Sequence, residues 1–94
     1  MILEHVVLPV IPGRESEFLE TFAQARLIIE ASPGFIDLEL HRGIERPNEF
    51  LMLVRWESLA AHTEGFRGSP AYARWRELLH PFYEPFPEVV HFEC

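Results

Sequence analysis

Between Phe50 and His80 (FLMLVRWESLAAHTEGFRGSPAYARWRELLH) the apolar residues change from the spacing of a strand to that of a helix within a few positions. Phe50 to Val54 are apolar without a break, and Trp56 closes the run. The reading is a strand over Phe50 to Glu57 with both faces covered. Ser58 can cap a short helical segment, Leu59 to Glu64, which carries His62. After the turn at Gly65 to Ser69, Ser69 followed by Pro70 is a stronger helix start, a capping hydroxyl with proline at the first helical position. Tyr72, Trp75, Leu78, Leu79 and Phe82 then trace a helical stripe. Strand, hinge and aromatic helix meet here, which makes this unit the expected place of a pocket.

The rest of the chain supplies its surroundings. Ile2 to Val10 is apolar except at Glu4 and His5, and reads as another strand buried on both faces. A turn at Pro12 and Gly13 leads to a helix on which Phe18, Leu19, Phe22, Ala25 and Ile29 share one side. Ser32-Pro33-Gly34 stops it, because proline cannot continue the helical hydrogen bonds and glycine accepts positive φ. Phe35 to Arg42 alternates, with Ile36, Leu38 and Leu40 on one face and Asp37, Glu39 and His41 on the other, as suits an edge strand with one wet face. The short loop from Gly43 to Asn48 makes an antiparallel hairpin with the Phe50 strand. Pro81, Pro85 and Pro87 force an extended crossing into a last strand, Glu88 to Glu93.

Strand, helix, strand, strand, helix, strand is the split βαβ order of an α+β, ferredoxin-like βαββαβ fold, a four-stranded antiparallel sheet with its helices on one face. Without repeat or linker, residues 1–94 form one domain. A chain of this length buries only about 60% of the surface it exposes unfolded. Two helices cover one sheet face, while the two strands destined for the centre look apolar on both. A second copy is the simplest cover for the other face, so a homodimer through the sheet faces is expected.

Charge and cysteine usage narrow the function classes. The formal net charge is -7, and the eight basic residues, all arginine, are scattered, which excludes a basic stripe for nucleic acid or an anionic membrane surface. No apolar run reaches the roughly 18 residues of a membrane helix. The one cysteine, Cys94, is the last residue, so no disulfide closes within the chain and a cytoplasmic location is expected. The histidines His5, His41, His62, His80 and His91 show no metal-type spacing, and no phosphate-binding or nucleophile-elbow motif is present. Neither a metal nor any other cofactor is expected.

The strand end Arg55 to Ser58 (RWES), His62 after it, the segment GFRGSPAYARW and the tail FYEPFPEVVHF resemble the antibiotic biosynthesis monooxygenase family of dimeric α+β barrels. The likeness runs along essentially the whole chain, including Pro12 to Glu15 and the SPGF turn at Ser32 to Phe35. It implies the fold and a face-to-face dimer. For chemistry it implies less, because the family spans cofactor-free quinone-forming monooxygenases, haem-degrading enzymes and signal-molecule isomerases. The haem-degrading branch carries an iron-binding histidine on its last helix and a tryptophan in the turn before it. Those positions fall near Trp75 and Arg76, and near Gly65 and Phe66, so neither matches, and His80 lies over a turn too late.

Within this frame five residues are candidates for the site. Trp56, by the resemblance, belongs to the substrate pocket, or else closes the core. His62 is the candidate catalytic base or orienter, able to take a phenolic proton, or else a surface histidine packing its helix. Arg67, between two glycines, can bind a carboxylate or a developing oxyanion, or form a structural ion pair. Tyr72 and Trp75 can stack on a planar ligand or serve as core. Two functions are compatible with this set: a cofactor-independent monooxygenase acting on a phenol, hydroquinone or anthrone-like substrate, and a non-catalytic dimeric barrel that binds a small aromatic ligand or serves in a stress response. A buried polar group in an otherwise dry pocket favours the first, and a pocket filled by its own aromatics the second.

Overall fold

The computed structural model describes all of residues 1–94. Strand β1 (Ile2–Pro9) leads to helix α1 (Glu15–Glu30), the hairpin of β2 (Phe35–Arg42) and β3 (Glu49–Trp56), a π-helical turn (Ala61–Phe66), helix α2 (Pro70–Leu79), a 3-10 turn (His80–Phe82) and β4 (Val89–Glu93). All pairings are antiparallel in the order β2-β3-β1-β4, which puts β1 and β3 at the centre as their apolar sequences require. This is the ferredoxin-like α+β fold.

The core lies between the sheet and the two helices. Val6 and Leu8 of β1, and Phe50, Met52, Val54 and Trp56 of β3, point inward onto Phe18, Phe22, Ala25 and Ile29 of α1 and Trp75 and Leu79 of α2. Phe18 sits at its centre, its ring 5.0 Å from that of Phe50 and 5.6 Å from that of Phe22. Leu19, expected on the same side of the helix, is instead 40% exposed, because its neighbour Phe18 defines the middle of the buried stripe and one residue turns the helix by about 100°. The glutamates Glu15 and Glu17 in the first turn of α1 suit its positive end, and Gly34 at φ +87° makes the turn after it.

The central strands alternate in this single chain instead of being covered on both faces. On the side away from the helices, Leu3, Val7, Leu51, Leu53, Val90 and Phe92 are only half-buried or exposed. Ile36 also departs from its expected face: a register shift between Phe35 and Asp37 leaves it 42% exposed, while Leu38 and Leu40 remain opposite the inward Val54 and Met52. No helix is long and apolar enough to cross a membrane.

Candidate active site

The inner face of β1 carries a carboxyl group where its neighbours carry hydrocarbon. Alternation that turns Val6 and Leu8 inward turns Glu4 inward too, and the residue is only 4% exposed. In register, Glu4 lies between Val54 on β3 and His91 on β4. Trp56, two residues beyond Val54, reaches back to it, and its indole Nε1 donates to Glu4 Oε1 at 3.0 Å. That tryptophan is fully buried.

The π-helical turn brings the imidazole. Ser58 Oγ accepts the Ala61 backbone N–H at 3.1 Å and starts the turn, as a capping hydroxyl should. The Arg67 N–H bonds to the His62 carbonyl at 3.0 Å, the wide spacing of a π-helix. His62 and Phe66 both turn inward and are buried. The His62 ring stacks on Trp56, with centroids 5.2 Å apart and planes 18° from parallel. Its Nε2 is 3.4 Å from Glu4 Oε1 and its Nδ1 is 2.8 Å from His91 Nε2. Trp56, Glu4, His62 and His91 therefore form one connected polar cluster inside an apolar shell.

Glu4 and His62 open onto a cavity of about 420 Å³ between sheet and helices. Glu4, His62 and Arg67 bring polar atoms to its wall; Phe66, Tyr72, Trp75, Tyr83 and Phe86 bring aromatic faces, over Val6, Leu8 and Met52. This size and lining suit a flat molecule of a few fused rings, with hydrocarbon walls for affinity and a few polar groups for orientation. Glu4 Oε2 makes no hydrogen bond, yet no fully buried polar side-chain atom lacks a partner. That oxygen therefore reaches open space, and Glu4 is a wall residue of the cavity.

Four of the five sequence candidates, His62, Arg67, Tyr72 and Trp75, come together on this wall. The expectation that Trp56 walls the pocket does not hold. Its ring is enclosed by Phe35, His62 and Phe66 and lies one layer behind the cavity. Arg67 is exposed and makes no ion pair, so the structural alternative for it is not realised here. Glu4, His91, His80, Tyr83 and Phe86 were not singled out from the sequence. For Glu4 the available signal was an acidic residue in phase with Val6 and Leu8; for the others the chain fold is needed.

Burial dominates the electrostatics. It raises the Glu4 pKa above the ordinary carboxylate value, against the opposing effects of the Trp56 hydrogen bond and the Arg67 charge. His62 is pushed down to about 3 by burial, by Arg67 and by His91, so its ring is neutral near pH 7. Burial and Arg67 also lower His91, and burial and Arg76 lower His80. Burial drives the Tyr83 phenol upward, so it stays protonated. No three His, Cys, Asp or Glu side chains converge in an arrangement that would hold a metal ion. The cluster can accept a proton at a carboxylate of raised basicity, within a largely apolar enclosure.

The family model for antibiotic biosynthesis monooxygenases matches residues 1–78. The chain belongs to that family. Among its relatives, the YczJ protein of Bacillus subtilis is 46% identical over 93 residues, covering 99% of this chain and 98% of that protein. A solved structure described as a putative antibiotic biosynthesis monooxygenase from Bordetella bronchiseptica superposes with a TM-score of 0.93 at 34% identity, covering 99% of this chain and 95% of the other. SnoaB, a cofactor-independent oxygenase from Streptomyces nogalater, shares the fold with a TM-score of 0.82 at 19% identity, covering 99% and 92% of the two chains.

Proposed function

We propose that the protein is a cofactor-independent monooxygenase acting on a small aromatic substrate of the phenol, hydroquinone or anthrone class. The observation that carries this reading is the buried Glu4–His62 pair at one end of an open, aromatic-walled cavity. A carboxyl buried at the cavity end is costly to keep there, and burial raises its basicity toward that of a proton acceptor. The family supports the reaction class, and the relative SnoaB is by its description an oxygenase that needs no cofactor.

The chemistry follows from the substrate's own acidity. Proton removal by the Glu4–His62 end leaves an electron-rich phenolate or carbanion, which passes an electron to dioxygen and combines with it to a peroxide. Loss of the remaining hydrogen from the oxygenated carbon, with cleavage of the O–O bond, gives the ketone or quinone and water. Both oxygen atoms are accounted for, and the substrate supplies all four electrons. Tyr72, Trp75 and Phe86 would wall the ring, Trp56 would act from behind through Glu4, and Arg67 at the mouth would meet an oxyanion. Oxygen uptake with hydroquinones and anthrone, compared with His62→Ala, tests the reading. A rate reduced by about 10² to 10⁴ with the fold intact is expected; no uptake by the wild type across the panel would count against it.

We also propose a homodimer through the open sheet face. Val7, Val90 and Phe92 are 41%, 40% and 51% exposed, and with Leu3, Leu51 and Leu53 they form an apolar surface that a second copy would cover. The lone Cys94 and the acidic surface suit a cytoplasmic protein.

A further inference from the structure

We propose that Glu4 is the catalytic proton acceptor of this cavity, and that His62 and His91 are positioning residues: His91 hydrogen-bonds His62, whose Nε2 lies 3.4 Å from Glu4 Oε1. The proposal rests on the oxygenase reading for its substrate class and on geometry for the assignment. His62 has no ring nitrogen to spare: Nδ1 faces His91 at 2.8 Å and Nε2 faces Glu4 at 3.4 Å. Glu4 has one oxygen held by Trp56 Nε1 at 3.0 Å, and the other open to the cavity. Of this pair, the carboxylate is the member with a free lone pair facing the cavity.

Donor and acceptor chemistry fixes the order of these contacts. An indole N–H can only donate, so Glu4 Oε1 accepts from Trp56. An ionised carboxylate has no proton to give, so His62 faces it with Nε2–H and must present the Nδ1 lone pair to His91, whose Nε2–H donates. His91 thereby selects the tautomer of His62 that supports Glu4. The charged and titratable groups around Glu4 are His62 and Arg67 from the turn region and His91 from β4; Arg67 alone carries charge near neutral pH, and it favours the carboxylate. In the step itself a substrate C–H or O–H bond breaks, its electron pair stays on the substrate, and the proton moves to Glu4 Oε2. The same proton is available to the peroxide formed next.

The test is deuterium exchange into the methylene of anthrone under anaerobic conditions, followed by NMR, alongside oxygen uptake in air. Glu4→Gln keeps an oxygen for the Trp56 N–H, so the fold should persist, with near-ultraviolet circular dichroism of Trp56 as the check. Exchange should fall by about 10² to 10⁴ while anthrone binding, read by fluorescence, is retained; Glu4→Asp should retain part of the rate. His91→Phe should lower exchange by about tenfold and displace the midpoint of its pH profile, and His91→Gln, which keeps a donor, should restore both. Exchange undiminished in Glu4→Gln but abolished in His62→Gln would overturn the assignment, as would no exchange by the wild type. Glu4-dependent exchange without oxygen uptake would sink the oxygenase reading and leave the acceptor standing. Uptake unchanged in Glu4→Gln would do the reverse.

Discussion

Replacing Trp56 with phenylalanine separates two roles for that residue. If the indole walled the substrate, the change would weaken binding and leave the acid–base group alone. Here the ring is fully buried behind the cavity and its N–H holds Glu4 Oε1 at 3.0 Å. Removing a donor from a buried charged acceptor costs about 1.5 to 3 kcal/mol. The lost part of the ring adds roughly 1 kcal/mol at about 24 cal/mol per Å³ of residual cavity. The sum, about 2.5 to 4 kcal/mol, is a large share of the typical 5 to 15 kcal/mol and still leaves a folded protein. Because the Trp56 hydrogen bond lowers the Glu4 pKa, its loss should raise the Glu4 midpoint further. The assay is a ¹³C NMR titration of glutamate side-chain carboxyls, with Glu4 assigned by its absence in Glu4→Gln, and urea unfolding at fixed protein concentration. A stability loss with an unmoved Glu4 midpoint would refute the idea that Trp56 tunes this carboxyl.

Three other outcomes are expected. Light scattering should give twice the 11.0 kDa chain mass, and Leu53→Glu on the open sheet face should give the single-chain mass; a wild-type monomer at micromolar concentration would remove the argument for association. Gly34→Ala should lower the melting temperature, because φ is +87° there, a left-handed backbone costing about 1 to 2 kcal/mol, and a Cβ would stand 2.6 Å from that of Ala61; an unchanged melting temperature would contradict this. His62, neutral in the fold, binds fewer protons than in the unfolded chain between pH 6.5 and about 3, so its contribution to stability is lost as pH falls through that window. Glu4 works the other way, stabilising at low pH and losing that contribution as pH rises past 4.5. The wild type should therefore lose more stability than His62→Gln between pH 7 and 5, and equal losses would count against a neutral buried imidazole.

Much of the fold was legible because its signals are local. The alternation of Phe35 to Arg42, the proline at the start of α2 and the Ser32-Pro33-Gly34 stop each depend on a few neighbouring residues, whereas the Ser69 hydroxyl expected to cap α2 instead donates to the Phe66 carbonyl at 2.6 Å. The failures are equally physical. A register shift that turns Ile36 outward depends on pairing with β3, and no residue within β2 announces it. Apolar runs in β1 and β3 identified the central strands but not the difference between a face packed under helices and a face left open.

The candidate site divides the same way. His62, Arg67, Tyr72 and Trp75 belong to one continuous segment, so their convergence could be read from periodicity. Glu4 and His91 come from opposite ends of the chain and meet only because β1 pairs with β4. Trp56 was placed in the right neighbourhood and the wrong layer, since a strand pattern gives the face of a residue and not what stands between it and the cavity.

The central claim is that a carboxylate at the end of an apolar cavity starts a reaction between an aromatic substrate and dioxygen without a cofactor. Its most direct test is oxidation of anthrone by metal-stripped protein under ¹⁸O₂ with mass analysis of the quinone. One ¹⁸O atom in the new carbonyl, one oxygen molecule consumed per anthrone, and loss of both in Glu4→Gln are predicted. Unlabelled product, or consumption of oxygen only after metal or flavin is restored, would contradict the account.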